Sequence, residues 1–302
     1  MVSPADRLTD DGSVTLFLFH GVIEKQRHRV RNYTRKHLPV EEFRSVLEEL
    51  GRRGKALSMD DVASGCATGR PFPRGAFAIT FDDGFENNVS VARPILDALG
   101  IPATIYVTSR FVDEGGMSWI DRIEWALERF VSGAISLPWS AKSVEFDTPS
   151  GKIAILEEIR REVKSNPRID IDALVSDIFH QFDVEEVRTS DDPLDKKMSW
   201  EQVRDWIAPG FSIGGHSHTH AILSHLPPAK LAWELDTSLS LLRERAGVVT
   251  SHYSYPEGLA HCYSPQVIAA LKERSITCSP TAIDGTNPPG SDPFHLRRVM
   301  VS

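Results

Sequence analysis

Apolar residues recur along this chain in two alternating rhythms. Compact, near-continuous apolar runs are found at Val14–Phe19, Ala76–Phe81, Ala103–Val107 and Phe211–Ile213, and they read as strands buried on both faces. Between them lie segments with helical spacing. Pro39 opens one that carries Phe43, Val46, Leu47 and Leu50 on a single face and ends at Gly51. The proline stands where a first turn tolerates it, and the glycine where a C-cap wants it. Leu57–Val62 leads into another helical turn, and Glu86–Leu99 reads as a helix stopped by Gly100 and bent or shortened by Pro94. Strand, helix, strand, helix in this order predicts parallel pairing, in a barrel or a wound sheet.

Residues 113–198 break the rhythm. Trp119–Val131 places Ile120, Ile123, Leu127 and Phe130 at helical spacing, and Ile153–Val163 and Ile171–Phe182 are helical too. Ser143–Phe146 is the one β-like run among them. This mostly helical, charged insertion leaves from a strand end, which puts it over or beside the mouth of any site there. Stability alone is the other reason for it. Order resumes at Ser199-Trp-Glu-Gln202, a capping box for a helix with Val203 and Trp206. Pro228–Ala246 is a long amphipathic helix with Leu231, Leu235, Leu239 and Leu242. Ser251–Gly258 reads as strand plus turn, Ser264-Pro265 as the cap of a helix through Leu271, and Ile276–Cys278 and Phe294–Val301 as late strands.

The 302 residues suffice for one large α/β domain or two small ones. A net charge of −8, from 34 basic and 42 acidic residues, argues against a nucleic-acid partner, which would need a basic face. Cys66, Cys262 and Cys278 have no paired spacing and read as free thiols in a reducing compartment. The N-terminus lacks signal-sequence character and no apolar run nears the length of a transmembrane segment, so a cytoplasmic location is expected. Residues 23–38 gather Arg27, His28, Arg29, Arg31, Arg35, Lys36 and His37 in a loop. That cluster is either a solvated face or a contact for an anionic sugar or diphosphate.

The second apolar run ends in Asp82-Asp83-Gly84. Adjacent carboxylates persist together when something positive sits between or beside them, and a metal ion meets that need. The same tripeptide is also ordinary turn composition. Further on stands Gly214-Gly-His216-Ser-His218-Thr-His220, where His216 and His220 have the spacing that sets two imidazoles on one face of a helical turn. With one aspartate they form an Asp-His-His set with positions left open for water and substrate. The other aspartate is then free to act as a base.

Thr80-Phe81-Asp82-Asp83-Gly84 followed by His216-Ser217-x-x-His220 resembles the polysaccharide deacetylase family, also called the NodB-homology or carbohydrate esterase 4 family. The likeness runs from about Val14 to the C-terminus around the insertion. Phe19-His20 and Met117-Ser-Trp119 resemble members of exopolysaccharide and lipopolysaccharide pathways. The resemblance implies one distorted (β/α) barrel of seven or eight strands over residues 1–302, with 113–198 inserted. It makes Asp82 the general base and Asp83, His216 and His220 the ligands of one divalent ion. Zinc suits that set, which also accepts cobalt, nickel or manganese. The implied reaction removes an N-acetyl or other N-acyl group from an amino sugar in a glycan or glycolipid precursor.

The family's third motif, Arg-x-Pro-x-Gly, is met by Ser254-Tyr255-Pro256-Glu257-Gly258. Glu257 would offer its backbone N–H to the oxyanion, with Tyr255 beside it in the substrate-binding segment. Ser254 stands where the arginine bracing the catalytic aspartate belongs. Arg298 is the expected replacement, ahead of Arg297, because relatives close on Leu-Pro-Arg-Ile where this chain has Leu296-Arg297-Arg298-Val299. The family's Asp-x-x-x-Trp and Leu-x-His segments are missing, so the general acid falls to His20 at the end of the first strand. A nearby carboxylate is expected to raise its pKa; the alternative is a loop histidine packed under the rim. His218, His225, His261 and His295 are weaker candidates, His218 because it would point away on the helical turn. An O-acetyl esterase or deformylase would share this site, and an inactive carbohydrate-binding relative would keep only the fold. A metalloprotease would need Glu after the first histidine, where Ser217 stands. The sequence leaves the oligomeric state open.

Overall fold

The computed structural model describes residues 3–302. Its first strand, β1 (Val14–Phe19), is buried at every position. Two short parallel partners, β2 (Gly21–Ile23) and β3 (His37–Pro39), follow. Helix α1 (Val40–Arg53) has Pro39 as its N-cap and runs past Gly51 to Gly54. A glycine inside a helix costs about 1 kcal/mol, less than the burial of Phe43, Leu47 and Leu50 returns at roughly 1.5–3 kcal/mol each. Next come β4 (Lys55–Ala56), α2 (Met59–Thr68) with a capping box at Ser58, and β5 (Ala76–Asp83), wholly buried. The expected helix after β5 is divided. A π turn spans Asn88–Ala92, and α3 (Arg93–Leu99) begins so that Pro94 lies in its first turn, where a missing N–H costs little.

After β6 (Ala103–Val107) and α4 (Ser109–Glu114) the inserted segment folds as α5 (Trp119–Arg129), the antiparallel pair β7 (Gly133–Ile135) and β8 (Val144–Phe146), then α6 (Pro149–Ser165) and α7 (Ile171–Gln181). Of these three helices, α5 and α7, at 11 residues each, are too short to persist alone. All three share a core of their own that includes Ile123, Leu127, Ile159 and Phe179, and Val30 enters it from the loop before β3. The chain then returns through α8 (Trp200–Trp206), β9 (Phe211–Gly215), α9 (Pro228–Ala246), α10 (Pro265–Glu273) and β10 (Arg298–Met300).

The main sheet is parallel in the order β10-β1-β5-β6-β9, with Leu16 beside Arg298, Leu18 beside Thr80 and Val107 beside Gly215. The late strands expected within Ser251–Gly258 and at Ile276–Cys278 are reduced to single bridges, Gly215 with Tyr253 and His252 with Cys278. Hydrogen bonds nevertheless carry the ring round. Thr281 donates its N–H to the Leu296 carbonyl at 2.8 Å, and Arg298 donates to Ile283 at 3.0 Å. The five strands of this path, with β4 paired off it to β5, and these two bridged segments thus make a distorted barrel, whose parallel strands open their carboxyl ends on one face. The three cysteines are buried and unpaired. Among the described residues no helix is long and apolar enough to cross a membrane.

Candidate active site

Alternation along a strand sends neighbouring side chains to opposite faces. Asp83 escapes that rule with a left-handed φ of 74° at the end of β5, a conformation that costs a non-glycine residue roughly 1–3 kcal/mol. Both carboxylates thereby approach one imidazole. His216 Nε2 lies 3.9 Å from Asp82 Oδ2 and 3.7 Å from Asp83 Oδ1, and His220 Nε2 lies 3.3 Å from the same Asp83 oxygen.

The two histidines do not sit on a helical turn. Residues 216–222 form a loop, with left-handed backbone at Ser217 (φ 61°) and His220 (φ 63°). The reason is that the segment's N–H groups find acceptors elsewhere. Ser217 donates to the Tyr253 hydroxyl at 2.8 Å, and His218 and Thr219 donate to Glu234 at 2.8 and 2.9 Å. The Thr219 hydroxyl adds a bond of 2.5 Å to the same carboxylate. Glu234 was not anticipated; its trace in the sequence is an acid among the leucines of the buried face of α9. His218, freed from the helical geometry, bonds Ser109 Oγ through Nδ1 at 2.9 Å and meets the Trp233 ring. Gly215 lets β9 pass this crowded point, since a Cβ there would lie 2.5 Å from the Tyr253 ring.

His216 donates from Nδ1 to the Ser254 carbonyl at 2.9 Å, which leaves the Nε2 lone pair facing Asp83. Asp83 Oδ1 is buried and accepts no hydrogen bond. Its oxygen and the two Nε2 atoms lie within 4.8 Å of one another. A buried, orphaned carboxylate oxygen between two imidazole nitrogens fits a divalent ion, and among the described residues no other His, Cys, Asp and Glu group does. Burial pushes the Asp83 carboxyl up, but His220, His20 and Lys197 together hold the group well below its ordinary range. Burial would lower His220, yet Asp83, Glu257 and Asp82 together raise it overall.

Asp82 is held differently. The Arg298 guanidinium donates Nη1 and Nη2 to its two oxygens at 2.8 and 2.7 Å. The same guanidinium bonds Ser254 Oγ at 2.9 Å and, through Nε, the Thr281 carbonyl at 2.6 Å. Arg298 and Ser254 therefore share the place where a single arginine was missing. Burial works to raise the Asp82 pKa, and Arg298 with His216 more than offsets it, leaving the carboxyl below its usual value.

His20 sits half-buried at the end of β1. Burial lowers its pKa to about 4 against the opposing pull of Asp83 and Asp82. This reverses the expected upward shift: desolvation exceeds the field of two carboxylates already engaged by other cations. Glu257 is left-handed (φ 61°), and its N–H donates to no protein acceptor among the described residues. Tyr255 is a correction. Its side chain is fully buried, stacks on Tyr263 and bonds the Phe294 carbonyl at 3.1 Å, so it does not reach the cleft. In the basic loop, acids of the fold take part of the charge, while Arg27 and Arg29 are exposed. Arg31 pairs with the buried Asp195, His28 with Asp192 at 2.9 Å and Lys36 with Asp121 at 2.5 Å. Lys197 was also missed. It is buried 3.3 Å from the centroid of the Phe85 ring without a hydrogen bond, and burial lowers its pKa to about 8.

From His220 and Glu257 a cleft of about 630 Å³ runs outward between the insertion and α9, lined among others by Phe111, Trp119, Lys164 and Trp233. Phe111 stacks on His220 with ring centroids 6.0 Å apart.

The profile of the family described as polysaccharide deacetylase matches residues 69–278, which include both aspartates and both histidines. A search of curated proteins finds no match. The fold resembles that of the Streptococcus pyogenes deacetylase PplD, solved in complex with acetate, at a TM-score of 0.61 and 15% identity over 96% of this chain and 92% of that one. It also resembles IcaB from Ammonifex degensii (0.60, 17%, 98% and 94%) and the BpsB deacetylase domain from Bordetella bronchiseptica (0.56, 17%, 97% and 97%). With its profile match spanning more than half of the sequence, the chain belongs to the polysaccharide deacetylase family.

Proposed function

We propose that this chain is a metal-dependent hydrolase that removes an N-acetyl or other N-acyl group from an amino sugar of a glycan or glycolipid precursor. The observation that carries the reading is the juxtaposition of an arginine-braced carboxylate with an orphaned Asp-His-His set. Asp83, His216 and His220 would hold one divalent ion, zinc by their chemistry, with cobalt, nickel or manganese as alternatives. Such an ion supplies Lewis-acid polarisation of the acyl carbonyl and acidifies water.

The chain's own groups do the rest. Asp82, kept ionised by Arg298, takes the proton of the attacking water. The Glu257 N–H, free of any protein acceptor, receives the oxyanion as the carbonyl carbon becomes tetrahedral. The leaving nitrogen needs a proton, and His20 is the group we assign to deliver it. With a pKa of about 4 it is neutral at rest near pH 7, so it acquires its proton within the cycle, from the one Asp82 removed. The cleft flanked by Trp119 and Trp233 offers apolar ring surface of the kind that receives sugars. An inactive relative was an alternative because both the bracing arginine of the motif and the Leu-x-His segment were missing. Arg298 in that place favours turnover. The test is acetate release from N-acetylglucosamine oligosaccharides by metal-loaded protein, with O-acetylated sugars as the competing substrate.

A further inference from the structure

The insertion reaches the third-motif loop through Lys164, in the last turn of α6. Its Nζ lies 2.5 Å from a Glu257 carboxylate oxygen, and the two side chains are only 27% and 20% exposed. Both line the cleft beside His220. A pair so far withdrawn from water is screened less than a surface ion pair.

Glu257 needs such a partner. Its backbone is left-handed, as is that of Gly258 after it (φ 61° and 58°). A non-glycine residue keeps that conformation when its surroundings over-determine it. On one side the loop is pinned by the Gly258 carbonyl, which accepts the Ala282 N–H at 2.9 Å, and by contact so close that a Cβ on Gly258 would lie 2.5 Å from that nitrogen. On the other side the Glu257 side chain is the handle, and Lys164 is its ion-pair partner. The lysine projects from a firm support. Ile155, Leu156, Ile159 and Val163 of α6 are buried in the insertion core, and Arg160 pairs with Glu124 of α5 at 2.9 Å.

We infer that Lys164 is a positioning residue for the deacetylation. By holding the Glu257 carboxylate it keeps the neighbouring N–H aimed into the cleft, so the insertion is part of the oxyanion site as well as a wall of the cleft. The inference rests on the deacetylase reading. An N–H that meets charge developing only in the transition state acts on kcat more than on KM. Removing an oxyanion donor outright costs about 10²–10³ in rate; a donor that is present but poorly aimed should cost about tenfold.

The experiment compares Lys164→Met, Lys164→Arg and the charge exchange Lys164→Glu with Glu257→Lys. It follows kcat and KM on an N-acetylglucosamine oligosaccharide, metal content, and hydrogen–deuterium exchange of the Tyr255, Glu257 and Gly258 amides. Expected are a kcat about tenfold lower in Lys164→Met with KM and metal content little changed, faster exchange at these amides, and recovery in Lys164→Arg. The double variant should exceed either single reversal. A Lys164→Met enzyme with wild-type kcat and exchange would overturn the inference. If the wild type itself releases no acetate, the deacetylase reading fails instead, and unchanged amide exchange in Lys164→Met would then independently overturn the clamp.

Discussion

Arg298 and Asp82 stand 216 residues apart and meet as a buried bidentate pair, with N–O distances of 2.8 and 2.7 Å. Parallel pairing of β10 with β1, and of β1 with β5, brings them together: Leu16 aligns with Arg298 and Leu18 with Thr80. Two charges out of water cost several kcal/mol each, and bidentate geometry with further bonds from the same guanidinium to Ser254 and Thr281 offsets that.

Replacing Arg298 with Met should strand the Asp82 carboxylate in the interior. Loss of one partner of a buried pair costs about 3–5 kcal/mol, measurable by denaturant titration. The sign in pH follows from Asp82 being depressed in the folded chain. Its stabilisation is present above the unfolded carboxylate pKa and is lost as pH falls through the lower folded value. Without Arg298 the acid limb of the kcat/KM profile should move to higher pH. A limb that stays in place would mean that Asp82 does not set it.

Asp82→Asn keeps the shape and removes the base. The variant should bind metal like the wild type and lose at least ~100-fold in kcat. Loss of metal with retained rate would exchange the roles of Asp82 and Asp83.

His20→Ala should leave fold and metal content intact and lower kcat about 10²-fold. Because His20 titrates near pH 4, the alkaline limb of the rate profile should be unchanged. Wild-type kcat in this variant would assign the leaving-group proton to another donor.

Glu234→Gln weakens the acceptor that organises the histidine loop from outside the ligand set. Partners of this kind typically tune metal affinity by about 10–100-fold. Metal titration should show a loss of that order, with the fold retained. Unchanged affinity would show that Tyr253 and the backbone suffice to hold the loop.

The parts of the chain that follow local rules could be read from the sequence. The apolar runs became β1, β5, β6 and β9, and the four-leucine face predicted the bounds of α9, Pro228–Ala246. The pairing of Asp82-Asp83 with His216 and His220 was visible as motif spacing. What escaped depends on contacts distant in sequence. The i, i+4 spacing of the histidines suggested a helix, but Tyr253 and Glu234 take their backbone N–H groups and make a loop. Tyr255 turned inward because its hydroxyl found the Phe294 carbonyl. The charge run of residues 23–38 looked free, yet its acids lie as far away as Asp121 and Asp195. Barrel closure past β9 rests on single bridges too short to leave an apolar run.

The central claim is tested most directly by counting metal and acetate together in the wild type and in His220→Ala. Apo protein titrated with zinc should bind one ion per chain and release acetate from an N-acetylglucosamine oligosaccharide only when loaded. His220→Ala should lose both the ion and the acetate. Deacetylation that survives chelation, or a His220→Ala protein with full metal occupancy, would contradict the assignment of Asp83, His216 and His220.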